Sequence, residues 1–121
     1  MIYKSIKTYP CLGSTVFRQW RADSHCNLLH GYALSFTFEF ESKTLDAHNW
    51  TIDFGGLKSL KEQLEYWFDH TLIIAQDDPQ FEELLKLEDL GLARVIVFEK
   101  VGCEAIAKEL WDWVNGIFLP S

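Results

Sequence analysis

Two short stretches carry side chains able to move protons. The first, Ser24-His25-Cys26-Asn27-Leu28-Leu29-His30-Gly31, sets a thiol beside one imidazole and four residues before another. A nearby imidazole can lower a thiol's pKa and leave a thiolate base, whereas an isolated cysteine is most often a small buried hydrophobe. On sequence alone Cys26 is open to both roles. The second stretch is Asp69-His70, a carboxylate next to an imidazole. Such a pair can shuttle a proton near neutral pH, with the carboxylate orienting the ring, or can end a helix as a solvated cap.

These residues must be held by regular elements. From Tyr32 the chain alternates, with Tyr32, Leu34, Phe36, Phe38 and Phe40 on one face and Ala33, Ser35, Thr37, Glu39 and Glu41 on the other. That period predicts a half-buried strand in an antiparallel sheet. It carries His30 onto the side of Tyr32, with Gly31 marking a bulge or a close backbone approach. Val16-Phe17 and Gln19-Trp20, after the punctuation of Pro10 and Gly13, supply a hairpin partner. A polar turn over Ser42 to Asn49, with a solvent-facing His48, leads to a predicted strand at Trp50 to Phe54. Gly55-Gly56 then opens a helix over Leu57 to Phe68, whose stripe of Leu57, Leu60, Leu64, Trp67 and Phe68 should lie on the sheet. Asp69 and His70 fall at its end. Asp77-Asp78-Pro79 signals a second helix, stopped by Gly91. Arg94 to Phe98 reads as a short buried strand, and Cys103 to Val114 as a last helix burying Ile106, Ala107, Leu110, Trp111 and Val114.

At 121 residues, 48% of them hydrophobic, with nine Phe and five Trp, the chain has material for one cored domain spanning residues 1–121. A net charge of −7 argues against a nucleic-acid surface, which needs clustered Lys and Arg. No run is long enough to span a membrane, and Met1 to Pro10 lacks an apolar signal region, so the cytoplasm is the expected compartment. Three irregularly spaced cysteines point to reduced thiols.

Cys26-x-x-Leu29-His30-Gly31 resembles the core motif of the pyruvoyl- and carboxy-tetrahydropterin synthases, which continues with a second histidine where this chain has Tyr32. The likeness runs on in order. Ile52-Asp53-Phe54-Gly55 with Leu57-Lys58 resembles the family's Met-Asp-Phe-x-x-Leu-Lys segment, and Asp69-His70 its Asp-His pair. Glu104-Ala105-Ile106-Ala107-Lys108 is similar to its final helix start, with Val101-Gly102 in place of Pro-Thr. Four ordered matches are far more specific than any one of them.

The resemblance implies an α+β tunnelling fold, here an antiparallel sheet with two or three helices on one face. The family's closing hairpin and its pterin-anchoring glutamate find no counterpart in the seven residues Asn115 to Ser121. Glu99 precedes the last helix and does not take that glutamate's place. The implied function is a lyase acting on 7,8-dihydroneopterin triphosphate in queuosine or pterin biosynthesis, with Cys26 abstracting a proton and Asp69 with His70 donating one. The family's zinc implies His30 as a metal ligand, with His25 a candidate second. The first ligand position, counted from Phe17, falls on Arg21, and the third holds Tyr32, able to ligate only as phenolate. The alternative is a non-catalytic, metal-free module of the same fold binding a pterin or purine. An unpaired edge beside Phe36, Phe38 and Phe40 implies a homo-oligomer, since open strand edges recruit further strands.

Overall fold

The computed structural model describes residues 1–118 of the chain. Six strands and three helices follow in the order β1 (Tyr3–Tyr9), β2 (Thr15–Phe17), β3 (His30–Tyr32), β4 (Phe36–Ser42), α1 (Lys58–Phe68), β5 (Thr71–Ala75), α2 (Phe81–Asp89), β6 (Val95–Phe98) and α3 (Cys103–Phe118). The expected hairpin exists as two successive antiparallel pairings. β1 pairs with β4 from Tyr3 opposite Ser42 to Tyr9 opposite Phe36. β2 pairs with β3, Thr15 opposite Tyr32 and Phe17 opposite His30. The ladder breaks between Tyr9 and Thr15, where Pro10 has no N–H to donate and Gly13 takes φ +135°. Along β4 burial alternates residue by residue, with Phe36, Phe38 and Phe40 inward.

The α+β class stands, and beside the expected antiparallel pairings the structure adds two parallel ones. β5 runs parallel to β2 on one side and to β6 on the other, giving the order β3-β2-β5-β6 in a mixed sheet. The cause is legible in β5 itself. All five residues of Thr-Leu-Ile-Ile-Ala are buried, as in a parallel strand covered on both faces. Ile73 packs into a core with Leu60, Leu64 and Phe68 of α1 and Ile106, Leu110 and Val114 of α3. Leu72 and Ile74 point the other way, onto Leu84 of α2. Two helices therefore share one face, and α2 covers the opposite one. Each of these Leu, Ile and Phe side chains contributes roughly 1.5–3 kcal/mol on burial.

The strand expected at Trp50 to Phe54 does not form. Asp46 Oδ1 accepts the backbone N–H groups of His48 at 2.8 Å and Trp50 at 3.0 Å, closing a tight loop instead. Asp53 Oδ1 accepts from the Gly55 N–H at 2.8 Å and caps the 3₁₀ turn Phe54–Leu57 that feeds α1. Side-chain bonds to the local backbone have outcompeted a ladder. His48 is exposed, as expected, and stacks on Trp50 at 4.6 Å.

A groove of about 770 Å³ lies between β4 and α3, lined by Phe36, Phe38, Phe40, Ile106, Leu110 and Trp111 among others. Neither Cys26, His30, Asp69 nor His70 lines it. No helix among the described residues is long and apolar enough to cross a membrane.

Candidate functional site

The two reactive stretches are anchored at opposite ends of β2. At its carboxyl end, the 3₁₀ turn His25–Asn27 starts on Ser24, whose hydroxyl accepts from the Cys26 N–H at 3.3 Å. The turn is tied back to the chain leaving β2 by two bonds. The Gln19 N–H donates to the Cys26 carbonyl at 2.7 Å, and Asn27 Nδ2 donates to the Trp20 carbonyl at 2.7 Å. Cys26 itself is exposed, which removes the buried-hydrophobe alternative. His30, the first residue of β3, turns its Nε2 onto the His25 carbonyl. A carbonyl only accepts, so that nitrogen carries the proton and is not directed at the thiol.

Beside this turn stands a second tethered group. Trp20 Nε1 donates to Asp77 Oδ1 at 3.1 Å, and Arg21 Nη2 to Asp77 Oδ2 at 3.3 Å. The Arg21 guanidinium lies 4.0 Å from the Trp20 ring centroid, a cation–π contact. The Trp20 bond first, then Arg21, hold the Asp77 carboxyl below the usual carboxylate range. Arg18, one residue past β2, pairs with the buried Asp78 at 3.1 Å, although its N–H is not aimed at the oxygen and the contact is an ion pair only.

At the amino end of β2, Asp69 ends α1 and His70 precedes β5. His70 Nδ1 lies 2.6 Å from Asp69 Oδ1. With Nδ1–H donating to the carboxylate, Nε2 keeps its lone pair on a side chain that is 87% exposed. That is the geometry of an oriented acid or base. His70 takes φ +59°, the left-handed region that non-glycine residues seldom occupy. Its N–H donates to the Ser14 carbonyl at 2.7 Å, which places the pair beside the start of β2.

The sequence candidates thus fall into two groups. His25, Cys26 and His30 come together at one end, Asp69 and His70 at the other, and no hydrogen bond joins the groups among the described residues. Gln19, Asn27, Gly13, Ser14 and Arg94, which hold these groups in place, escaped the sequence reading. Gln19 and Arg94 figured there only as strand residues, and Gly13 as loop punctuation.

The donor set does not fit the three-ligand zinc centre that the resemblance implies. Among the described residues no three His, Cys, Asp or Glu side chains converge on a common point. Arg21 is committed to Asp77. Tyr32 stacks face to face on Phe17 at 3.9 Å. His30 has spent Nε2 on a backbone carbonyl, and only its Nδ1 keeps a lone pair for a cation.

With this geometry in view, the family model described as 6-pyruvoyl tetrahydropterin synthase matches residues 14–120. The crystal structure of an uncharacterized protein from Wolinella succinogenes superposes with a TM-score of 0.85 over 99% of this chain and 87% of its own, at 23% sequence identity. Likeness at that identity concerns the fold. No curated protein matches the sequence.

Proposed function

The chain belongs to the 6-pyruvoyl tetrahydropterin synthase family, and on that premise we propose that it is a lyase acting on 7,8-dihydroneopterin triphosphate. The product would be a carboxy- or pyruvoyl-tetrahydropterin, for queuosine or pterin synthesis in the cytoplasm. Cys26, as thiolate, takes a proton from the substrate side chain. His70 Nε2 takes up a proton from solvent on its free lone pair and passes it to the substrate, while Asp69 holds the Nδ1–H and so keeps Nε2 turned outward. The observation that carries this assignment is the 2.6 Å contact between Asp69 and His70 on an exposed, strained backbone, at the family's own Asp-His position.

Because thiol and pair stand at opposite ends of one strand, we assign them to different copies of the chain in a homo-oligomer. Each active site then takes Cys26 from one copy and Asp69 with His70 from another. Among the described residues one edge of β4 has no strand beside it, which gives a place for strand pairing between copies. No step is routed through a metal, since the donors of one chain do not fit one.

One feature favours the rival function, a metal-free module that binds a pterin or purine without turnover. Arg21 and Tyr32, at two of the three positions where the family resemblance places ligands, are engaged with Asp77 and Phe17. Incubation with 7,8-dihydroneopterin triphosphate separates the two. Release of triphosphate with a new pterin product supports the lyase. Tight binding of the intact substrate with no turnover supports the module.

A further inference from the structure

The backbone around Asp69 and His70 is held by more devices than a helix end needs. A helix that terminates in a left-handed residue normally places glycine or asparagine there, because either adopts that conformation cheaply. This chain puts histidine at that conformation, φ +59°. Outliers of this kind persist only where the surroundings over-determine them, and they gather at functional positions.

Four ties from three separate segments fix the pair. Asp69 N–H closes α1 onto the Glu65 carbonyl at 3.0 Å, and Arg94 Nη2 donates to the Asp69 carbonyl at 2.9 Å. The Arg94 guanidinium is itself steadied over the Tyr66 ring at 4.8 Å. The Ser14 carbonyl takes the His70 N–H at 2.7 Å. Gly13 does the rest by having no side chain. A Cβ built there would lie 2.0 Å from Asp69 Oδ1 and 2.4 Å from Cγ, so the carboxylate occupies the space where a side chain would be. Gly13 also takes φ +135°, and the Cys11 thiol donates to its carbonyl at 2.9 Å, which anchors the loop.

We infer that Gly13 and Arg94 are positioning residues for the proton-donating pair: Gly13 seats the Asp69 carboxylate against His70 Nδ1, and Arg94 fixes the backbone from which it projects. Neither touches substrate in this arrangement. Their effect is to keep the imidazole in the Nδ1–H tautomer, with the Nε2 lone pair turned outward. The inference rests on the assignment of Asp69 and His70 as proton donor, yet its physical content can be read without turnover.

The test is ¹⁵N NMR of the His70 ring in the full chain, read beside turnover of 7,8-dihydroneopterin triphosphate. Wild type is expected to show the Nδ1–H tautomer, and Asp69→Asn to lose it. Gly13→Ala should lose it as well, with turnover falling about 10-fold or more, the scale on which small misplacements of catalytic groups act. Should Gly13→Ala fail to fold, Arg94→Met serves in its place. It is expected to mix the tautomers, and Arg94→Lys, which can still donate to the Asp69 carbonyl, to restore the wild-type pattern. Retention of the Nδ1–H tautomer in folded Gly13→Ala, or in Arg94→Met, overturns the positioning role. Loss of the tautomer with turnover unchanged upholds positioning and removes the proton-donor assignment instead.

Discussion

The two ends of β2 carry reactive groups of comparable chemistry in frames of different stiffness. At the amino end, Asp69 and His70 are tied by sheet register, by a buried pair of threonines and by a strained residue held from three segments. Thr15 Oγ1 lies 2.6 Å from Thr71 Oγ1, and Thr71 Oγ1 donates to the Trp67 carbonyl at 2.7 Å, locking the last turn of α1 to the sheet. At the carboxyl end, Cys26 rides an exposed 3₁₀ turn held by Gln19 and Asn27, with polar surface contacts around it. A proton donor needs a fixed tautomer and so a rigid mount. A thiolate that takes a proton from a flexible side chain needs exposure and tolerates a looser one.

The largest effects should come from removing either reactive group. Cys26→Ala and His70→Ala are each expected to cut turnover by roughly 10²- to 10⁴-fold with the fold intact, as loss of a positioned acid or base does. Circular dichroism and a turnover assay on the same samples check this, and a fully active variant at either position removes that group from the mechanism.

Stability should follow the contrast in stiffness. Thr71→Val strips the Trp67 carbonyl of its hydroxyl donor, while the Thr15 hydroxyl keeps the residue-71 carbonyl at 3.0 Å, an expected cost of about 1–3 kcal/mol in urea unfolding. Asn27→Ala cuts one tie at the carboxyl end, where water can replace it, and should cost no more than about 1 kcal/mol. Equal costs would erase the distinction between the two ends.

The smallest effect is one of pH. Asp77 has its carboxyl lowered by the Trp20 bond and then by Arg21. The stability it contributes is therefore present above the unfolded carboxylate value of about 3.9 and is lost as pH falls through the lower folded value. Trp20 fluorescence should change in that acid window in wild type and not in Asp77→Asn. The amino end, without this contact, should not respond to the substitution.

How much of this was legible in the sequence depended on the kind of signal. β4 was plain, because a strand with one wet face writes its period into every residue, and so was α1, whose buried stripe recurs at three and four. α3 was placed, but of its expected stripe only Ile106, Leu110 and Val114 are buried, while Ala107 and Trp111 face outward. β5 was invisible as a strand, since a five-residue apolar run buried on both faces has no period, and with it went the parallel pairings and the place of α2. The stretch after Trp50 misled because Asp46 and Asp53 bond to nearby backbone, an outcome that composition does not reveal. Cys26, Asp69 and His70 were found through ordered motifs. Their division between the ends of β2 was not, because it follows from the register of Thr15 with Thr71 and of Phe17 with His30, which only the folded chain fixes. Gly13 and Arg94 act through backbone geometry and leave almost no mark on residue type.

The central claim is that Cys26 and the Asp69–His70 pair work together only between copies of the chain. Its most direct test mixes Cys26→Ala with His70→Ala, unfolds and refolds them together, and measures turnover of 7,8-dihydroneopterin triphosphate. Random assortment in a symmetric oligomer leaves about a quarter of shared sites with both groups intact, so the mixture should recover activity that neither variant shows alone. A mixture as inactive as its parents, in an assay where refolded wild type is active, would contradict the claim and return both groups to a single chain.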